Sequence, residues 1–261
     1  MNPIILRLAL LLPLLSLCLP LRAEISTLPE AINKAGRQRM LSQRMLKAYS
    51  MIGLGVNELS AKGQLDDAVR LFDRQLTELK DYAPNTSIRK ALGKVEALWK
   101  PYRIAIRKKP DRNKALDLLE QSAELLRASH KVVLMLEDLS TTPAGRLVNM
   151  AGRQRMLSQK ISMLYMYPIW GFDNASIRSE MQQATNEFEG ALSELDSAPV
   201  NTAALKEKLR QARTEWKLFK HGLDGKEGKP IPYIVNLTGD KLLNTMNEIT
   251  ALYAQLESKQ R

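Results

Sequence analysis

The sequence predicts an all-α protein built as two tandem up-down-up-down four-helix bundles, and three observations carry that expectation. Apolar residues recur three to four apart, as in Phe72, Leu76 and Leu79 or Leu92, Val95 and Trp99, where a strand would alternate. Aromatic residues make up only 5% of the 261 residues, while Leu, Ala and 11 Met are abundant, a balance that favours helix. The third is an internal repeat. Ala35-Gly36-Arg37-Gln38-Arg39-Met40-Leu41-Ser42-Gln43 returns residue for residue as Ala151-Gly152-Arg153-Gln154-Arg155-Met156-Leu157-Ser158-Gln159, and Asn33 returns as Asn149, at an offset of 116.

Residues 1–23 read as a secretory signal peptide: Arg7 at the start, an apolar run over residues 8–20, and Ala23 at the cut. Leu21 stands where a small residue is usual, so an uncleaved N-terminal anchor is the alternative. Leu17 before Cys18 argues against lipidation. Removing the leader takes Arg7, Arg22 and Cys18 with it, lowering the net charge from +11 to +9 and leaving no cysteine. Disulfides, thiol catalysis and Cys-ligated metals are then excluded. No later segment approaches the roughly 18 apolar residues of a membrane span. The expected location is the periplasm, and export outweighs the nucleic-acid partner that a pI near 9.7 would otherwise suggest.

The first four-helix unit is assigned to 24–141 and the second to 142–261. The repeat continues at the same offset through Phe72, Leu76, Glu78 and Leu79, which answer to Phe188, Leu192, Glu194 and Leu195. After slight slippage Trp99 answers to Trp216 and Leu125-Leu126 to Leu242-Leu243. Thr27-Leu28-Pro29-Glu30 has the form of a capping box with Pro in the first turn, and Thr142-Pro143 opens the second copy similarly. Pro84 and Pro199 separate second from third helices; Pro110 and the stretch from Gly222 to Pro232 separate third from fourth. Pro101 and Pro168 should kink or stop the helices that contain them. Four antiparallel helices return the chain to its starting end, so the two first helices can run parallel as an intramolecular pseudo-dimer. A monomer with internal pseudo-twofold symmetry is expected, against a competing arrangement in which the bundles touch only at their linker.

On a helical wheel Gly36, Arg39, Gln43 and Ser50 share one side with Ile32, Met40 and Leu46, while Leu41, Met45, Ala48 and Ile52 share the other. Such a helix is buried on both sides. Gly36 costs about 1 kcal/mol relative to Ala in a helix, which close backbone approach would explain. Arg39 and Arg155 would then face each other, and two guanidinium groups repel unless an anion sits between them. A small planar oxyanion suits their paired donors. The competing reading makes both arginines structural, bonded to carbonyls or to a neighbouring Glu, with Gln43 and Gln159 as ordinary buried amides.

The stretch from Ala31 to Met45 resembles the P-box of PilJ-type and NarX/NarQ-type periplasmic sensor domains, four-helix bundles of pilus-associated chemoreceptors and nitrate-responsive kinases. In the nitrate sensors the Arg of a Gly-x-x-Arg-Met element binds nitrate at the dimer axis. The resemblance puts that role on Arg39 and Arg155, with Gly36 and Gly152 as close-approach positions and Gln43 and Gln159 beside them. Arg37 and Arg153 are more like the PilJ branch. The second basic position is Arg44 in one copy and Lys160 in the other.

The expected function is a non-enzymatic exported sensor module that binds an anion such as nitrate or nitrite between the repeated motif helices. The alternative is a ligand-free interaction or accessory module of an envelope or type IV pilus-linked signalling system. The chain ends at Arg261 directly after the last helix, so no second span, kinase or methyl-accepting stalk is expected, and a membrane receptor or pilus-linked signalling protein is expected to read the ligand state. His130 and His221 have no metal-ligand spacing, and no nucleophile, base or phosphate loop converges, so neither cofactor, metal nor enzymatic activity is expected. Trp99 and Trp216 are read as core anchors. The strip Arg103, Arg107, Lys108, Lys109, Arg112 and Lys114 is read as a solvated helix end, with a surface for anionic lipid as its alternative.

Overall fold

The computed structural model describes residues 25–140, 143–225 and 229–259. The expected leader, residues 1–23, lies outside the described residues, as does the 141–142 junction between the two expected units. Eight α-helices are described: α1 (Leu28–Gly53), α2 (Glu58–Tyr82), α3 (Thr86–Ile106), α4 (Ala115–Glu137), α5 (Pro143–Ile169), α6 (Ala175–Ser197), α7 (Ala203–Leu223) and α8 (Pro232–Lys259). None of them is long and apolar enough to cross a membrane.

Local chemistry sets the helix ends. Thr27 accepts from the Glu30 amide, and the Glu30 carboxylate reaches back to the Ser26 amide at 3.1 Å, one residue earlier than in a strict capping box. Asn85, Asn174 and Thr202 cap α3, α6 and α7 through the amides of Ile88, Ile177 and Leu205. The α1–α2 turn passes through Gly55 and Asn57 at φ of 67° and 44°, and the α5–α6 turn through Gly171 at 95°; each is left-handed backbone that Gly and Asn tolerate best. Pro168 stands one residue before the end of α5. Pro101 does not end α3, which continues to Ile106.

Helices α1–α4 pack as one four-helix bundle and α5–α8 as a second, with α1 lying along α5 between them. The contacts advance in the same direction on both helices, from Asn33 with Arg155 through Arg44 with Gln159 to Gly53 with Trp170, so the two helices run parallel. Each is therefore surrounded, α1 by α2, α4 and α5, and α5 by α6, α8 and α1. That placement explains why both carry buried residues on more than one side. The bundles are built alike. Trp99 stacks on Phe72 and Trp216 on Phe188, both at 4.1 Å between ring centroids, and all four rings are buried core anchors. Tyr49 accepts from the Asp111 amide and Tyr165 from the Ile231 amide, tying the loop before each fourth helix to the first.

One ionic cluster crosses the halves without a counterpart. Asp240 of α8 accepts from Lys47 at 2.6 Å and Arg44 at 2.8 Å on α1, and from Gln64 at 3.0 Å on α2. Lys47 is fully buried, and burial pulls its ammonium down to about 8 despite Asp240. Burial works to raise the Asp240 carboxyl, but Lys47 and Arg44 outweigh it and hold it below the ordinary value. Asp240→Ala strands the Lys47 charge and should cost about 3–5 kcal/mol in urea unfolding, and adding Lys47→Met should recover part of that loss.

Candidate functional site

The repeated motif places four of its residues at one point of the α1–α5 contact. Gly36 and Gly152 face each other across it. A Cβ on Gly36 would lie 3.2 Å from Arg155 Nη2 and 3.3 Å from Arg39 Nη2; one on Gly152 would lie 3.0 Å and 3.5 Å from the same atoms. Both guanidinium groups therefore bracket the same pair of glycines, and any larger side chain would press on them.

Each arginine is held by the opposite copy. Arg39 Nη2 donates to Asn149 at Oδ1 (2.8 Å) and at the backbone carbonyl (3.3 Å); Arg155 donates to Asn33 at Oδ1 (2.8 Å) and at its carbonyl (3.2 Å). A third contact comes from each arginine's own bundle. His130 of α4 lies 3.1 Å from Arg39 Nη1, and Asn247 of α8, its equivalent at an offset of 117, accepts from Arg155 Nη1 at 3.3 Å. Because a guanidinium only donates, His130 Nδ1 must be the acceptor and the ring is neutral with its proton on Nε2. Ser42 and Ser158 donate to the carbonyls of Arg39 and Arg155 at 2.8 and 2.9 Å, fixing the same turn in both helices.

The electrostatics are unfavourable as they stand. Both arginines are fully buried, and among the described residues neither has a carboxylate partner in salt-bridge contact. Burial, with the charge of Arg153 adding and that of Glu137 opposing, pulls Arg39 down to about 9. Burial with the charges of Arg37 and Arg39 holds Arg155 well below its ordinary value. Glu137 is engaged by the Asn149 amide, and Arg153 by Glu187. The Nε–H of each motif arginine is buried with no partner. A charged group left this way costs several kcal/mol, so two of them at one point concentrate uncompensated positive charge in the interior.

Gln43 and Gln159 lie one turn further along and point into their own bundles. Gln43 donates to Ser122 at 3.1 Å and Gln159 to the Gly239 carbonyl at 3.4 Å, while Gln159 also accepts from Arg44. Four residues joining the pair carried no motif signal of their own: Asn33, Asn149, His130 and Asn247. The return of Asn33 as Asn149 was the available cue, a polar residue kept in both copies six positions before the arginine. A crevice of about 190 Å³ between α4, α5 and α6, lined by His130, Arg153, Lys160, Glu180 and Glu187, leads from the surface to His130. Among the described residues no His, Cys, Asp and Glu side chains converge as metal ligands.

Burial, Arg39 and Arg153 together push His130 down to about 4 from 6.5. The unfolded chain then takes up this proton first, so stability present above pH 6.5 is lost as pH falls toward 4. His130→Asn should flatten that part of the pH dependence of urea unfolding.

A family model described as PilJ, type IV pili methyl-accepting chemotaxis transducer N-term, matches residues 26–132 and again 140–225, together well over half of the chain. The second match stops before α8. Comparison with curated proteins and with solved structures returns no match.

Proposed function

Because the chain belongs to the family of type IV pili methyl-accepting chemotaxis transducer N-terminal domains, carrying two copies, we propose that it is an exported, periplasmic and non-enzymatic sensor module that binds a small oxyanion between Arg39 and Arg155. The single observation that carries this reading is the pair of fully buried guanidinium groups with unpartnered Nε–H donors and, among the described residues, no carboxylate in salt-bridge contact. A planar oxyanion of nitrate or nitrite size can take one hydrogen bond from each side and cancel the repulsion. The exchanged partners, Asn149 for Arg39 and Asn33 for Arg155, support an internal pseudo-twofold axis through the site, so one chain could supply both halves as a monomer. The crevice at His130 offers a route inward, guarded by the Arg153–Glu187 ion pair.

Within this reading Gly36 and Gly152 set the separation of the two helices, and Gln43 and Gln159 brace the motif turn from the bundle side. Thermal unfolding at constant ionic strength tests it. At about 100 times its dissociation constant, nitrate or nitrite should add roughly 2.7 kcal/mol. Arg39→Ala with Arg155→Ala should abolish the shift. An unmoved midpoint for both anions would leave the ligand-free alternative, a helix-packing seam in a protein that acts through partners.

A further inference from the structure

A surface concavity of about 650 Å³ forms a furrow between α3 and α4 of the first unit, away from the arginine pair. Its rims are basic. Lys90 and Lys94 stand one helical turn apart on α3, and Arg127 and Lys131 one turn apart on α4. The floor between them is apolar, formed by Ala91, Leu98, Ala128 and Met135. Among the described residues Arg127 pairs only with exposed Glu120, and no ion pair engages Lys90, Lys94 or Lys131. Four cations thus stand against a single lining carboxylate, Glu124, over an apolar trough, which leaves an excess of positive charge that an acidic partner would neutralise.

The duplication supplies an internal comparison. At the offset of 117 the rim residues Lys90, Lys94, Arg127 and Lys131 become Glu207, Gln211, Asn244 and Glu248, and the floor residues Ala91, Leu98 and Ala128 become Lys208, Glu215 and Thr245. The second furrow is closed by its own side chains. Lys208 bridges α7 to Glu248 of α8 at 2.5 Å, and Thr245 donates to Glu215 at 2.6 Å. A bundle of this kind therefore needs no open basic trough on its outer face, and the one in the first unit is a departure from it.

We propose that the α3–α4 furrow of the first unit receives an acidic amphipathic helix of a partner protein. A third helix laid between two others buries an apolar stripe on the floor, and acidic residues on both its flanks reach the two rims. The stretch from Lys90 to Leu98 is about 12 Å long at 1.5 Å per residue, room for two to three helical turns. An anionic bilayer would meet the rims but could not fill the trough, which favours the helix over a lipid surface.

The probe is a fluorescein-labelled peptide of about 18 residues with Leu at helical spacing and Glu on both flanks, titrated with the full chain by anisotropy. The expected result is salt-sensitive binding that weakens at least about tenfold in Lys90→Glu/Lys94→Glu/Lys131→Glu. A scrambled peptide of the same composition should bind at least about tenfold more weakly, and charge reversal at exposed lysines remote from the furrow, Lys206→Glu/Lys217→Glu, should leave binding unchanged. No peptide binding overturns the proposal. So does equal binding of the scrambled peptide, insensitivity to the triple reversal in a variant with wild-type melting, or preferential binding of phosphatidylglycerol vesicles that the same reversal removes.

Discussion

Two buried positive charges at one crossing point govern the arrangement of this molecule. The glycines beside Arg39 and Arg155 permit the close approach of α1 and α5, the most enclosed elements of their bundles. The fold therefore keeps a repulsive pair in its interior and surrounds it with neutral acceptors, two asparagine side chains, two carbonyls, a histidine and a further asparagine. Neutral acceptors satisfy geometry without neutralising charge. Each guanidinium keeps its buried Nε–H without a partner.

The rest of the architecture serves that crossing. Ser42 and Ser158 hold the arginine turns, Gln43 and Gln159 anchor the next turn to the fourth helices, and Tyr49 and Tyr165 tie down the loops that deliver those fourth helices. The Asp240 cluster holds the two bundles together a little further along, from one side only. Symmetry is thus close at the pair and relaxed around it: His130 against Asn247, Arg44 against Lys160, a basic furrow against a self-closed one. Duplication frees one copy to keep a geometry while the other changes its surface.

Much of this was legible in one dimension because repetition exposes constraint. Nine identical residues returning at a fixed offset revealed two units, the motif helices and the paired arginines, and Trp99 and Trp216 were legible as core anchors, while their stacking on Phe72 and Phe188 depends on how neighbouring helices pack. Of the two outcomes expected at Pro101, a kink or a stop, the stop is ruled out, since the helix carries on past it to Ile106. His130 was considered only as a metal ligand, and its contact with Arg39 depends on how α4 is rotated against α1, which local spacing does not encode.

Composition, periodicity and the repeat by themselves determined the all-α class, the two bundles and the pair of motif arginines, because each is a property of neighbours within one helix or of one copy against the other. Only tertiary structure decided that the guanidinium groups meet without a carboxylate, that asparagines cross between copies to hold them, that Gln43 and Gln159 turn inward, and that one furrow stays open. Those facts depend on which helices pack together and at what rotation, a matter settled by the burial of whole faces at once and not by any single stretch of chain.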